Sequence, residues 1–463
     1  MGKHIFFLAL ALTCAVGGGS RAIHCPPGDS VWLDSLLDAA RRNAPMPGLA
    51  TLVIKDGEVI WDRCYGYAIL EDSTPVTDTT CFTLASLSKT FTATAAMQLW
   101  EDGYFDLDGD VNESLPFAVH HSRYPDSAIT PRMLMTHTSA IQDNWITLNN
   151  YYSQGDPDSS LRTLLENYLT PGRPGYDSAR NFYQFRPPGG GWLYCNIAYA
   201  LLGFTVEAMA DSFPVYTREH IFRPLGMDRT TWFFADLDTM TCACQYGWDT
   251  SRWRRLGYVG GSFYPAAFLK SCTRDLAEYL KAWLAWGRHD TARLLDSATV
   301  AMMQTPHVWS VPWQTHFGFA WYQDCVNGDT VWCHDGDEKG ITTYFALSRR
   351  LNGAVVALAN REYCQTLFHD VVIPALHGFI PDGIAEAPGP TVEWLLCGTF
   401  VSGTINLRGS ADAVLLDISG RKVADLRPGT NDVRHLSPGV YFVAEPRTTN
   451  QELRTSTKVV VAR

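Results

Sequence analysis

Two turn dipeptides, Asp56-Gly57 and Asn327-Gly328, set the tightest limit on what this chain can fold into. Each lies between two runs of apolar and β-forming residues, and Asp-Gly or Asn-Gly in such a place favours a two-residue hairpin. The first predicts strands over 49–55 and 58–67. The second predicts strands over 318–325 and 329–334, with two more at 342–349 and 353–360. Between the two groups the pattern is mostly helical, over 86–99, 161–169, 194–203 and 275–286, with long loops such as 149–158 and 250–268. A helix over 30–44 precedes the first hairpin. A closing helix over 368–380, frayed or kinked at Pro374 and Gly378, follows the last strand. Hairpins that bracket a helical insertion imply one sheet assembled from both ends of a domain, with a helical lobe beside it and a cleft between.

The helical run that opens the insertion carries Ser86-x-x-Lys89. Leu87, Phe91, Ala95 and Leu99 recur at helical spacing, and Gly103 marks the end. Serine and lysine then lie one turn apart, near N–H groups that a helix start leaves unpaired. A neutral lysine can take the serine proton and make it a nucleophile. Two fixed positions in four also arise by chance, and a capping serine on an exposed first turn is the plain alternative. Two later motifs add weight. Tyr194-x-Asn196 heads a helical stretch, and His334-x-Gly336 lies on a strand before the last two. Tyr194 can relay a proton if Lys89 lowers its pKa. Asn196 can hold Lys89 and donate to a substrate carbonyl. His334 can meet a substrate acid or the tyrosine oxygen, and Gly336 can let a substrate backbone approach the strand. Cys195 reads as a small buried residue.

In order and spacing the three motifs resemble the serine β-lactamase/penicillin-binding-protein superfamily, in the branch of class C β-lactamases, D-Ala-D-Ala carboxypeptidases, D-aminopeptidases and related esterases. Phe82-x-x-Ala85-Ser86-x-Ser88-Lys89-Thr90 is similar to its first block. Leu134-Met135-Thr136-His137-Thr138-Ser139 is similar to its Leu-Leu-x-His-Thr-Ser block, and Phe222-Arg223-Pro224-Leu225-Gly226-Met227 to its Pro-Leu-Gly-Met block. The resemblance implies an α/β fold, a sheet with a helical lobe, over about 31–380. It implies Ser86 as the acylated nucleophile, Lys89 and Tyr194 as a shared base, Asn196 as their positioner and His334 in the third-motif place. It implies an oxyanion hole made by the N–H groups of Ser86 and Asp337, beside Gly336. It implies no metal and no cofactor. His137 and Ser139 read as part of a structural block.

This chain departs from the pattern at the third motif, where Lys-Thr-Gly is usual in class C enzymes. A histidine holds a carboxylate less well at neutral pH. Asp335, Asp337 and Glu338 stand around it, with Lys339 next to them, and Ala140 replaces a usual glycine. The expected substrates are therefore D-amino-acid peptides, peptidoglycan stem peptides among them, or carboxylic esters, ahead of β-lactams. A surface binding protein that kept the fold without turnover is the alternative of a different class.

The chain of 463 residues is long enough for two or three domains, and its net charge of -11 argues against nucleic acid as a partner. The first 22 residues have a short charged start, an apolar run too short to span a membrane, and small residues at 20 and 22, the pattern of an export signal. Cys14 falls inside it. The eleven cysteines left of twelve are odd in number, which leaves at least one thiol unpaired, and Cys242-x-Cys244 does not have metal-site spacing. A hydrolase domain is expected over 23–380, a linker rich in proline and glycine over 381–390, and a small all-β sandwich over 391–463. In that tail Asp417-Ile418-Ser419-Gly420-Arg421-Lys422-Val423, Leu436-Ser437-Pro438-Gly439-Val440-Tyr441-Phe442 and Thr457-Lys458-Val459-Val460 resemble C-terminal sorting domains of the type IX secretion pathway. That resemblance implies delivery to the cell surface or beyond, with the secretion machinery as a partner.

Overall fold

A computed structural model of the chain describes residues 26–249 and 252–381 and, beyond them, parts of 400–461. The expected signal, 1–22, and nearly all of the expected linker, 381–390, lie outside the described residues. The chain divides into two compact units, Met1–Asp382 and Gly383–Arg463. Among the described residues no helix is long and apolar enough to cross a membrane.

The first unit is built on a nine-stranded sheet. Its strands, in chain order, are β1 Gly48–Lys55, β2 Glu58–Ile69, β3 Thr74–Pro75, β4 Val308–Ser310, β5 Thr315–Phe317, β6 Tyr322–Val326, β7 Asp329–Glu338, β8 Ile341–Ser348 and β9 Gly353–Ala359. They lie side by side in the order β4-β5-β6-β7-β8-β9-β1-β2-β3. The two ends of the unit meet at β1 and β9, paired antiparallel from Leu49↔Ala359 to Lys55↔Gly353. Both hairpin turns take the expected form, with φ of 52° and 84° at Asp56-Gly57 and 51° and 81° at Asn327-Gly328. Central strands are apolar on both faces because both are covered. Phe345 and Leu347 of β8, and Val356 and Leu358 of β9, join the core under the helical lobe. Their neighbours Tyr344, Ala346, Val355 and Ala357 face the opposite way. There they meet Leu33 and Leu37 of α1, Ser30–Asn43, and Phe368, Val372 and Leu376 of the closing helical run.

The lobe is centred on α2, Ser88–Glu101. Its apolar stripe is buried as expected, and so are Thr90, Thr92 and Thr94 between the stripe residues. Their hydroxyls donate to the carbonyls of Leu87, Pro265 and Thr90, so burial leaves none of them unsatisfied. Two other helices position the site: α3, Pro131–Met135, capped by Thr130, and α4, Asn196–Ala210, headed by Cys195.

Three expectations need correction. The segments 149–158 and 250–268 are not simply loops: Tyr152–Gln154 pairs with Val259–Gly261. The closing run is distorted one turn earlier than expected. A π-turn, Phe368–Val372, separates Gln365–Leu367 from Ile373–Phe379, and Pro374 sits in the first turn of the last piece, where a proline is tolerated. The second strand of the late hairpin does not stop at His334 but runs to Glu338 and carries the whole third motif.

In the second unit the described strands form two sheets. Phe400–Val401, Thr457–Val461, Gly439–Ala444, Ala413–Asp417 and Lys422–Leu426 make one in that order, and Thr404–Leu407 pairs with Gly429–Asp432 in the other.

Candidate active site

Ser86 lies on a single 3-10 turn, Ala85–Leu87, and α2 begins only at Ser88. The sequence pattern starts the helical run near Ser86, and the run opens with this turn. The side chains still line up, because 3-10 geometry stacks residues i and i+3. From Cys81 to Met97 every residue is buried except Ser86. Ala85, just before it, has φ +50°, left-handed backbone that is unfavourable for an alanine. The turn is held from behind: Leu84 N–H donates to the Leu269 carbonyl at 2.7 Å, and Thr343 Oγ1 donates to the Leu84 carbonyl at 2.7 Å.

Lys89 is fully buried. Its Nζ lies 3.0 Å from Ser86 Oγ, 2.7 Å from Asn196 Oδ1 and 2.8 Å from the Ala266 carbonyl. Burial pushes its pKa down to about 7, against the opposing pull of Asp143 and other negative groups. A neutral amine has two N–H bonds and one lone pair. The Asn196 and Ala266 oxygens can only accept, so they take the two N–H bonds. The lone pair is left for the Ser86 hydroxyl, the arrangement a base needs.

Tyr194 O–H donates to Ser86 Oγ at 2.8 Å. Its ring lies 4.3 Å from that of His137 and stacks at 5.3 Å on Trp313. The expectation that Lys89 lowers the Tyr194 pKa is overturned. Burial pushes it well above the ordinary phenol value, and the charges of Asp335 and Asp143 push the same way. Tyr194 is a proton donor at neutral pH. His137, read from the sequence as part of a structural block, lies beside the site. Its Nδ1 accepts the Cys195 N–H at 3.2 Å and its carbonyl accepts the Leu193 N–H at 2.7 Å, which fixes the segment that carries Tyr194.

The third motif sorts by strand alternation. On β7 the even-numbered side chains face the lobe and the odd-numbered ones the opposite core, as Trp332 and Cys333 show. Asp335 is therefore turned from the nucleophile; it accepts from Tyr322 O–H at 2.9 Å, and His369 is 3.9 Å away. Asp337 turns the same way, to the Tyr363 N–H and the Thr342 hydroxyl. Of the three acids only Glu338 is on the nucleophile's face, where Tyr152 O–H donates to it at 2.9 Å and Lys339 Nζ lies 3.3 Å above the Tyr152 ring. The acidic surround expected from the sequence is thus mostly on the far side of the sheet. His334 is buried, and burial pushes its pKa down to about 4, so it is neutral at pH 7. Its Nδ1 donates to the Asp335 carbonyl at 2.6 Å, which leaves Nε2 as an acceptor.

Gly336 is needed for packing within the chain itself. A Cβ there would come within 2.8 Å of the Leu84 carbonyl and 2.9 Å of Ala85 Cβ, and would strike Thr343 Oγ1. The glycine lets β7 press on the turn that carries Ser86. Strand β6 pairs with β7 only as far as Cys333, so among the described residues 334–338 have β8 on one side and no strand on the other. Alternate N–H groups of such an edge point away from the sheet. Asp337 lies in this stretch.

Asp143 was not found from the sequence. It accepts the Asn196 N–H on both oxygens at 2.9 Å, the Ile197 N–H at 3.1 Å and the Asn196 side-chain amide at 2.8 Å. It follows the His137 block closely, but its partners lie more than fifty positions away and no local pattern links them. Ala266 acts through its carbonyl, which leaves no mark in the sequence.

The family described as Beta-lactamase matches residues 33–370, well over half of the chain. The chain belongs to the beta-lactamase family. Protein flp of Staphylococcus aureus strain MW2 is 21% identical over 354 residues, 72% of this chain and 64% of its own, so the chain spans less than two thirds of that relative. EstCE1, a hydrolase with promiscuous acyltransferase activity, superposes with a TM-score of 0.62 at 19% identity, over 75% of this chain and 98% of its own. A D-stereospecific amidohydrolase from Streptomyces superposes with a TM-score of 0.56 at 21% identity, over 74% and 98%. These structural likenesses establish the beta-lactamase fold. Both structural neighbours are named as hydrolases.

Proposed function

We propose that this protein is a serine hydrolase that works through an acyl-serine intermediate. The supporting observation is the set of partners at Lys89: two carbonyl-type oxygens that can only accept, at 2.7 and 2.8 Å, and Ser86 Oγ as the third, at 3.0 Å. Ser86 Oγ attacks the acyl carbonyl and its proton passes to Lys89. The N–H groups of Ser86 and Asp337 hold the developing oxyanion. Tyr194 O–H donates to the leaving group, and the proton held on Lys89 restores the phenol. Water then cleaves the acyl-serine by the reverse use of the same groups.

Substrate choice follows from the third motif. A neutral His334 with a bare Nε2 accepts a hydrogen bond and supplies no positive charge for a carboxylate. Half-exposed Trp313, stacked on Tyr194, gives the leaving side of the cleft an apolar wall. Carboxylic esters and amides of D-amino acids fit such a cleft better than β-lactams or peptides with a free C-terminal acid, which carry a carboxylate near the same place. The names of EstCE1 and the Streptomyces amidohydrolase point the same way.

The test is to mix the protein with p-nitrophenyl acetate, a D-alanine p-nitroanilide and penicillin in parallel, following product release and intact mass. Turnover of the first two with a transient adduct that Ser86→Ala lacks is the expected result. Penicillin consumed faster than either would reverse the substrate ranking. No turnover of any, with no adduct, would leave the binding-protein alternative. We also propose that the chain is exported, on its N-terminal pattern and sorting-like tail; secreted material that still begins at Met1 would refute removal of a signal.

A further inference from the structure

Asp143 belongs to none of the three motifs, yet it holds from behind the residue of the second motif that meets Lys89. It meets the head of α4 at the backbone N–H groups of Asn196 and Ile197, and Cys195 Sγ lies 3.3 Å from Oδ1. A carboxylate at a helix start satisfies unpaired N–H groups and suits the helix dipole. Capping explains those bonds. It does not explain the remaining one, in which the Asn196 side-chain Nδ2 donates to Asp143 Oδ2 at 2.8 Å.

That bond has a directional consequence. A primary amide has a donor end and an acceptor end. With Nδ2 committed to a carboxylate that can only accept, Oδ1 must face the other way, and there it accepts from Lys89 Nζ at 2.7 Å. A flipped amide would set its oxygen against the Asp143 carboxylate and offer Lys89 an N–H, which would draw the amine's lone pair away from Ser86. We propose that Asp143 is a positioning residue for catalysis: by fixing the Asn196 amide it keeps the lone pair of Lys89 on Ser86. Asn196 and the Ala266 carbonyl hold the two N–H bonds of the neutral amine only while both present oxygen. If the Asn196 oxygen turns away, the amine can rotate and its lone pair is no longer held on the nucleophile. Asp143 touches neither Lys89 nor Ser86 in this account; it acts through Asn196. The inference rests on the reading of Lys89 as the base.

The test compares Asp143→Asn with the exchanged pair Asp143→Asn/Asn196→Asp, on p-nitrophenyl acetate. The single variant retains shape and one capping oxygen but sets two NH₂ groups against each other. Its kcat should fall about tenfold to a hundredfold, the scale of a misplaced reacting group, with KM changed little. Its acid limb should also move to lower pH, because a negative charge near Lys89 is gone. The exchanged pair restores an amide donor facing a carboxylate, and an oxygen facing Lys89. Compared on the plateau above each protein's own acid limb, it should regain about tenfold or more of the lost kcat, on the same scale; that limb lies above the parent's because the carboxylate now touches the amine and favours its charged form. If the single variant keeps kcat within about twofold, or if the exchange rescues nothing, Asp143 is only a cap and the proposal is overturned; a cap owes nothing to the side chain at 196. If the single variant does not fold, Asp143→Ser keeps a good capping oxygen and replaces it in the comparison. Ser86→Ala separates the two layers: turnover that survives it removes the hydrolase reading itself, whereas loss there with full activity in the Asp143 variants removes only this inference.

Discussion

The Lys89 amine is the residue on which the pH behaviour turns. Its pKa is near 7 because burial outweighs the nearby carboxylates, and only the neutral form can take the Ser86 proton. Ester hydrolysis should therefore rise with pH through about 7 and level off above it. His334, near 4, should add no second limb in that range. A kcat/KM profile that falls as pH rises past 7 would exclude Lys89 as the base. Ala140 gives a prediction of a different kind. Its φ of +57° explains why a glycine suits this place, and Ala140→Gly should raise unfolding free energy by about 1 kcal/mol in a urea titration. A loss of stability would mean that the methyl group, 4% exposed, packs well enough to offset the backbone cost. Ser86, Lys89, Tyr194 and Asn196 could be read from the sequence because each pair is close along the chain. The sign of the Tyr194 shift could not, since it depends on burial by His137 and Trp313, which arrive from distant segments.

Strand β7 and the turn before α2 act as one element pair. The close approach at Gly336 means that any side chain there pushes on the turn that holds Ser86. Gly336→Ala should cost about 1–3 kcal/mol, the usual range for overpacking, and should also slow acylation. Urea unfolding and the rate of the p-nitrophenol burst measure the two effects separately. A variant as stable and as fast as the parent would show that the turn yields freely. Hairpins were legible at this scale because a two-residue turn fixes its own register. The threonine face of α2 was not, because a hydroxyl hidden by bonding to a carbonyl looks polar in a sequence and behaves as core in a fold. Likewise the two segments read as loops carry too few β-forming residues to announce that they pair with each other, 152–154 with 259–261. Sorting Asp335 and Asp337 away from Glu338 needed the strand to continue past His334, which the sequence pattern ended too soon.

At the scale of the molecule, every group of the site lies in the first unit, and so does the family match, 33–370. A chain that stops after residue 381 should hydrolyse esters with kcat/KM within about twofold of the full chain, as expected of a domain with its own core. A collapse of activity would show that the second unit supports the first. The general architecture was legible because its two hairpin groups sit at opposite ends of one helical insertion. That same architecture sets a clock. Strand β7, which flanks the site, and the β1–β9 seam that closes the sheet come from the far end of the unit. A ribosome that has made Ser86 must still add 273 residues (359 − 86) before β9 exists, roughly 15–55 s at ordinary rates of synthesis. For that interval the newborn chain holds the serine and the lysine but neither the strand that presses on their turn nor the seam that closes the sheet.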